Sequence, residues 1–102
     1  MSDGLTILKF QELMKNLYLK RDKSRGPEKT MLWLVSELGE LAECIKENTP
    51  DFLAIEEEMA DILAWLCSLA NIYGIDLGSA AWKKYPGVCS SCRQNPCKCD
   101  PR

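Results

Sequence analysis

The chain of 102 residues is one domain's worth of sequence, and with 46% hydrophobic residues it can bury a small core. Charged residues make up 27% and the formal net charge is −2, so a broad nucleic-acid-binding surface is not expected. The absence of histidine excludes mechanisms that need an imidazole base or a histidine zinc ligand. Carboxylates and thiols remain as candidate ligands.

The first nine residues lack the basic start and apolar run of a secretory signal peptide. Elsewhere, no segment approaches the roughly 18 uncharged apolar residues of a membrane span. We therefore expect a cytoplasmic protein without a membrane partner.

The first predicted helix covers residues 5–19. Its apolar positions are Leu5, Leu8, Leu13 and Leu17. A charged run, residues 20–25, follows and is interpreted as part of a solvated connector. Gly26 and Pro27 complete this connector, with Pro27 near the start of the next helix.

The second and third helices are predicted over about residues 28–47 and 51–73, and each carries an apolar stripe wide enough to face a core. The stripe on the second helix comprises Met31, Leu34, Val35, Leu38, Leu41, Ala42 and Ile45. The stripe on the third comprises Phe52, Ile55, Met59, Ile62, Leu63, Leu66, Leu69, Ala70 and Tyr73. We interpret both stripes as the core of the subunit.

The remainder of the chain is predicted to contain one short helix and a tail. Gly74 suits the end of the third helix, and Asp76 is predicted to cap a fourth that extends to about Lys84. No segment shows the alternation of a strand. The sequence thus predicts an all-α domain over residues 1–87 and a Cys-rich tail over residues 88–102.

Four carboxylates lie in two similarly spaced pairs. Glu37 and Glu40 are three residues apart on the second helix, and Glu58 and Asp61 repeat this spacing on the third. The angular sectors of the two helices that contain these carboxylates also contain apolar residues, namely Trp33, Cys44, Ala54, Trp65 and Ile72. A solvated face is the alternative, but carboxylates covered among apolar groups need cations. Oxygen ligands favour Mg²⁺, then Mn²⁺, which typically bridge substrate phosphates.

Two segments together resemble a known family. Residues 36–43, SELGELAE, and residues 58–61, EMAD, resemble the EExxE, spacer, ExxD signature of the MazG-like nucleotide pyrophosphohydrolases, in the all-α NTP pyrophosphatase superfamily. Ser36 stands where that signature has its first Glu. With the similar stretches 69–77 and 83–86, the resemblance covers about residues 5–86.

The resemblance implies a helical bundle completed by oligomerisation, as a dimer or tetramer. It also implies hydrolysis of a nucleoside triphosphate at the α–β bond, which gives the monophosphate and pyrophosphate. The Mg²⁺ ligands that it implies are Glu37, Glu40, Glu58 and Asp61, and the substrate or phosphate contacts that it implies are Asn71 and Lys83 or Lys84. A carboxylate at the edge of the cluster, with Glu40 as first candidate, would accept the proton of the attacking water.

Two tryptophans lie close to these carboxylates in the sequence. Trp33, one turn before Glu37, can stack on a nucleobase or pack against a neighbouring helix, and Trp65 near Asp61 has the same alternatives. For both residues packing is the favoured interpretation.

The tail contains a CxxC, four further residues and a CxC. Its thiols are Cys89, Cys92, Cys97 and Cys99. Four thiols so close in a cytosolic protein favour a Cys₄ zinc site, with two disulfides as the second hypothesis. A thioredoxin-like redox role is less favoured because no βαβ pattern surrounds the CxxC. Cys44 and Cys67 are predicted to be buried thiols.

The leading hypothesis is therefore a Mg²⁺-dependent nucleotide pyrophosphohydrolase, with its preferred base and any role in cleaning the nucleotide pool left open. The alternative is a catalytically silent helical module that binds nucleic acid or protein through a zinc knuckle. Ser36 keeps this alternative open, as do the cations of the tail, Arg93, Lys98 and Arg102.

An obligate oligomer is also expected, because one small subunit can cover only one of two apolar sectors on each helix. The second sector runs through Trp33 and Cys44 on one helix and Trp65 and Ile72 on the other. We expect this sector to be covered by a partner subunit, with the carboxylates in a groove between subunits.

Overall fold

The computed structural model describes residues 4–101, which form four helices. These are α1 (Ile7–Arg25), α2 (Pro27–Lys46), α3 (Phe52–Tyr73) and α4 (Leu77–Lys84). No strand occurs within residues 4–101, so the all-α prediction is confirmed for this part of the chain.

The helix ends follow the capping residues in the sequence. Pro27 is the first residue of α2, where its missing N–H has no cost. Gly74 ends α3 in the left-handed conformation, with φ 68° and ψ 28°. The Asp76 side chain accepts a 3.0 Å hydrogen bond from the Ser79 N–H and so caps α4. These three predictions are confirmed.

The first helix is longer than predicted. It continues through the charged run to Arg25, and only Gly26, at φ 87°, separates it from α2. Asp22 is buried, and its Oδ1 accepts a 3.0 Å charged hydrogen bond from Arg25. The interpretation of this run as solvated was therefore wrong for Asp22 and Arg25, because pairing within the helix allows charge to be buried.

The central helix is α3, which packs against α2 on one side and against α1 on another, while α4 packs against α1. The five-residue connection between α2 and α3 makes these two helices antiparallel neighbours. Within residues 4–101, no single helix is long and apolar enough to cross a membrane; α3 and α4 meet that test only as a pair, across a bend of 99°.

A polar clamp, made by Gln11 and Asn71, ties α1 to the end of α3. The buried Gln11 side chain donates from Nε2 to Asn71 Oδ1 at 3.0 Å and to the Ile75 carbonyl. Its Oε1 accepts a 3.0 Å hydrogen bond from the Leu77 N–H, at the start of α4. Asn71 Nδ2 in turn donates to the Gln11 carbonyl at 3.1 Å. The side-chain amide of Gln11 therefore connects three helices.

The apolar stripes predicted as the core are largely exposed. Leu38 and Leu66, at their centres, are 46% and 39% exposed. Of the predicted α2 stripe, only Leu34 and Leu41 are buried or half-buried, and the other such positions on α2 are Pro27, Thr30, Glu37 and Cys44. The predicted orientation was thus wrong for the centre of the stripe, because α2 is rotated so that the carboxylate sector next to Leu34 and Leu41, rather than Leu38, packs towards α3.

In the first helix, too, the face that is buried differs from the face that was predicted to be buried. Its predicted apolar face is exposed, at Leu5, Leu8, Leu13 and Leu17. The residues it buries are Gln11, Met14 and Asp22. Gln11 enters the interior with partners on neighbouring helices, whereas Asp22 is paired with Arg25 through Oδ1 and its buried Oδ2 has no hydrogen-bond partner.

The polar clamp can be tested by Gln11→Ala. This change should lower the free energy of unfolding by about 1–3 kcal/mol, because it leaves Asn71 Oδ1 and the Leu77 N–H without the partners that the Gln11 side chain provides. Glu12→Ala, at the exposed neighbouring position, is the matched control and should change stability by less than about 0.5 kcal/mol. Urea unfolding followed by circular dichroism at one protein concentration measures both, and equal stability would contradict the clamp.

Candidate functional site

Three carboxylates from α2 and α3 converge where these helices meet. One carboxylate oxygen from each of Glu37, Glu40 and Glu58 lies within 4.8 Å of the others. We call these three residues the carboxylate cluster. Glu37 and Glu58 are half-buried and Glu40 is exposed. Ser36, in place of the first motif Glu, is exposed, and the cluster forms without it.

The cluster contains two carboxylate oxygens with no hydrogen-bond partner. The Oε2 atoms of Glu37 and Glu58 are both buried and accept no bond from a protein N–H or O–H group. The pKa of Glu58 is raised, first because the Glu37 carboxylate can accept a hydrogen bond from the protonated form of Glu58, then by burial and by the negative charge of Glu37, whereas Glu40 lowers it. The two groups are therefore arranged to share a proton or to bind a cation together.

The donor set fits a hard divalent cation. All three converging groups offer carboxylate oxygens, which Mg²⁺ and Mn²⁺ prefer. The unpaired oxygens of Glu37 and Glu58 give such an ion two buried ligands. Exposure of Glu40 leaves one side of the site open to water or substrate.

Asp61 lies one turn beyond Glu58 on α3 but is not among the converging residues. Its charge adds to the raised pKa of Glu58, after the larger effects of Glu37 and burial. The Asp61 side chain also lines a neighbouring cavity. Of the four predicted ligands, the structure thus brings three together and places the fourth on the wall of this cavity, one turn from Glu58.

The cavity beside Asp61 lies between α1 and α3 and has a volume of about 300 Å³. Its α3 wall consists of Asp61, Ala64, Trp65 and Ser68, and its α1 wall of Met14, Tyr18, Arg21, Asp22 and Arg25. The volume is at the lower end of the range for small-molecule sites. The two aromatic rings suit a ligand that has a flat ring, and the two guanidinium groups and two carboxylates offer both donors and acceptors for its polar groups.

The two tryptophans near the cluster pack on each other. The rings of Trp33 and Trp65 are stacked, with centroids 5.8 Å apart and an angle of 7° between planes. The Arg25 guanidinium carbon lies 4.9 Å from the centroid of the Trp65 ring, while its Nη1 donates to Asp22 and Thr30. Packing is thus what Trp33 shows in the structure, and its stacking on a nucleobase stays a prediction.

The other predicted substrate contacts lie away from the cluster. Asn71 belongs to the polar clamp, where both of its side-chain polar atoms are hydrogen-bonded to Gln11. Lys83 and Lys84 are exposed in the last turn of α4. None of these three predicted contacts lines the cavity beside Asp61. Their role in substrate binding stays a prediction, and the contacts of Asn71 are structural.

Sequence reasoning missed the contribution of α1 to this cavity. Among the residues of α1 that line it are Tyr18, Arg21, Asp22 and Arg25, whereas the sequence prediction for this helix depends on its leucines alone. The missed signal is spacing, because positions 14, 18, 22 and 25 fall on one face of a helix. Because that face contains charged residues, the sequence pattern indicates a solvated face.

The sulfur atoms of the four tail cysteines also converge, all within 4.8 Å of one another. Elsewhere in the chain, Cys67 is fully buried, as predicted, whereas Cys44 is only half-buried. Burial raises the pKa of both of these thiols. Arg93 and Lys98 are exposed in the tail, and Arg102 lies outside the described residues.

Comparison with known proteins identifies one sequence family. The profile of the MazG nucleotide pyrophosphohydrolase domain matches residues 25–92. This range is about two thirds of the chain and contains α2, α3, α4, the carboxylate cluster, Asp61 and the first two tail cysteines. A search of curated proteins found no match.

Proposed function

The chain belongs to the MazG nucleotide pyrophosphohydrolase family, and we propose that it is a Mg²⁺-dependent enzyme that converts nucleoside triphosphates to monophosphates and pyrophosphate. The family acts on nucleotides and generally uses a divalent metal. The observation that carries the proposal is the carboxylate cluster, where two buried oxygens lack partners.

The cluster would hold the ion through Glu37, Glu40 and Glu58. Bound Mg²⁺ neutralises charge that develops on the phosphates and lowers the pKa of bound water. Glu37 and Glu58 project from packed helices rather than loops, which fixes the separation of their oxygens. Glu40, the exposed member, is the group best placed to accept a proton from the water that attacks the α-phosphate.

The cavity beside Asp61 is the proposed nucleoside site. Because Asp61 lines the cavity and lies one turn from Glu58 on α3, a triphosphate held at the cluster can direct its nucleoside between α1 and α3. Tyr18 and Trp65 offer aromatic surface for a base. Arg21 is exposed on the same wall and can donate hydrogen bonds to the ligand, although Asp22 and Asp61 balance the charge of Arg21 and Arg25 in the cavity lining.

We further propose that the chain is a homodimer. A folded monomer of its mass, 11.5 kDa, is expected to expose about 5,800 Å², whereas this chain exposes 7971 Å². Its radius of gyration of 16.0 Å also exceeds the roughly 13 Å of a compact chain of this length. The surplus area, roughly 2,000 Å², is more than the about 800 Å² per partner of a standard interface.

The surface proposed for this contact is the exposed apolar face, which we define as Met31, Val35, Leu38 and Ile45 on α2 with Met59, Leu63 and Leu66 on α3. On both α2 and α3, this apolar face is rotated by about 100° around the helix axis from the sector that packs against the other helix. The rotation has the same direction on both helices when each is viewed from its N-terminus. Because α2 and α3 are antiparallel, both stripes lie on one side of the pair. A second copy of the chain would cover this side through a four-helix contact.

This proposed arrangement differs from the predicted groove between subunits, which stays a prediction. Trp33 and Trp65 stack within one chain, while Trp33 remains 52% exposed, so part of the sector expected to meet a partner packs inside the subunit. Glu40 and Asp61 turn away from the exposed apolar face, by roughly 160–180° around their helix axes. A partner on that face therefore leaves the carboxylate side accessible to substrate.

The catalytic proposal is tested by Glu58→Gln and Glu37→Gln. Each should reduce Mg²⁺-dependent pyrophosphate release by at least about 10²-fold, because a ligand charge is lost while the side-chain shape is kept. Glu57→Gln is the matched control, since it removes an exposed acid next to Glu58. Phosphate is measured after coupling to pyrophosphatase, over canonical and modified nucleoside triphosphates, with circular dichroism as the folding check. Absence of activity in the unmodified chain would favour the silent module, and undiminished activity in both variants would contradict the site.

The dimer is tested by Leu66→Glu. A charge at the centre of the exposed apolar face should shift the mass from at least twice 11.5 kDa towards that of one chain. Leu53→Glu on the same helix is the control, since Leu53 is exposed but lies outside this face. Light scattering at micromolar concentration gives the masses, with Leu38→Glu as a second variant. A monomeric unmodified chain would exclude the dimer.

A further inference from the structure

The tail brings four sulfur atoms into a tight group, although it lies beyond the last helix. The Sγ atoms of Cys89 and Cys99 are 3.7 Å apart, and those of Cys92 and Cys97 are 3.9 Å apart. All four cysteines are free thiols, and all four sulfurs lie within 4.8 Å of one another. Two separate sequence segments, the CxxC and the CxC, thus meet at one point.

These separations match the edges of a tetrahedron around zinc. A Zn–S bond of about 2.3 Å places neighbouring sulfurs about 3.8 Å apart in an ideal tetrahedron. Sulfurs joined as a disulfide would instead be about 2.0 Å apart. The tail therefore has the arrangement of a tetrathiolate site rather than that of two bonded cystine pairs.

The backbone around the sulfurs supports the same arrangement. Two hydrogen bonds close residues 89–94 into a turn, from the Cys89 N–H to the Gln94 carbonyl at 3.0 Å and from the Arg93 N–H to the Cys89 carbonyl at 2.9 Å. Backbone N–H groups also lie near the sulfurs, with Lys98 N 3.2 Å from Cys92 Sγ and Cys99 N 3.3 Å from Cys97 Sγ. Donation by backbone N–H groups stabilises thiolates, the form in which cysteine binds metal.

The tail has little else to hold it together. Within residues 88–101, Val88 and the cysteines are its hydrophobic residues, so it cannot build an apolar core. Metal binding can supply the folding free energy of such a segment. Four protein ligands also fill a tetrahedron and leave no position for substrate, which is the property of a structural site.

We propose that Cys89, Cys92, Cys97 and Cys99 bind one structural zinc ion. This site is independent of the proposed function, because it shares no residue with the carboxylate cluster. Thiolates are soft ligands that select zinc, whereas carboxylates select Mg²⁺ or Mn²⁺. The two sites of the chain would therefore bind different metals.

Elemental analysis of the full chain, purified under reducing conditions, tests the proposal. We expect about one zinc per chain, and near zero in Cys92→Ser and in Cys97→Ser because each loses a ligand. Two controls separate the sites: Cys44→Ala removes a thiol outside the tail, and Glu58→Gln alters the carboxylate cluster. Both should keep their zinc. Cobalt added to the metal-stripped full chain should give the thiolate charge-transfer and visible bands of a tetrahedral tetrathiolate, and Cys92→Ser should lose them.

Several results would overturn the proposal. Iron in place of zinc would contradict the metal assignment. Metal-free protein whose four tail thiols are paired, shown by the mass after alkylation without reduction, would establish disulfides instead. Zinc that remains in both tail variants but is lost from Glu58→Gln would assign the zinc to the carboxylate cluster.

Discussion

The close approach of Glu37 and Glu58 is the constraint on which the rest of this structure depends. Two carboxylates with buried, unpartnered oxygens destabilise the contact between α2 and α3 unless a proton or a cation lies between them. Yet α2 turns this sector, rather than its Leu38 stripe, towards α3. The orientation that assembles the site therefore also determines which apolar surface remains exposed, so catalysis and assembly are linked through the rotation of the helices.

Much of the fold could be predicted because its signals are local. Gly74, Asp76 and Pro27 act on the helix ends through their own backbone conformations and side chains. The three-residue spacing of Glu37 and Glu40 likewise follows from helical geometry. The orientation of each helix could not be predicted in this way. Apolar residues occur on two sectors, and periodicity identifies both sectors without showing which one a neighbouring helix covers.

The contribution of α1 was hidden for a related reason. Asp22 and Arg25 occur in a charged run, where Asp22 is buried against Arg25. Arg25 in turn contacts Thr30 and the ring of Trp65, which the sequence pattern of the run does not reveal. Gln11 is buried for the same reason, through Asn71 at a distance of 60 residues along the chain. Polar residues that become buried only through distant partners are therefore the main source of error in predicting both the core and the cavity.

The carboxylate cluster is tested most directly by its response to cation, without nucleotide. The midpoint of thermal unfolding should rise with Mg²⁺ concentration in the unmodified chain, because a ligand that binds the folded state stabilises it. Glu58→Gln removes one of the opposed charges, so without metal it should be at least as stable as the unmodified chain and should lose most of this response. An equal Mg²⁺ response in both proteins, or a metal-free Glu58→Gln that is strongly destabilised, would contradict the account.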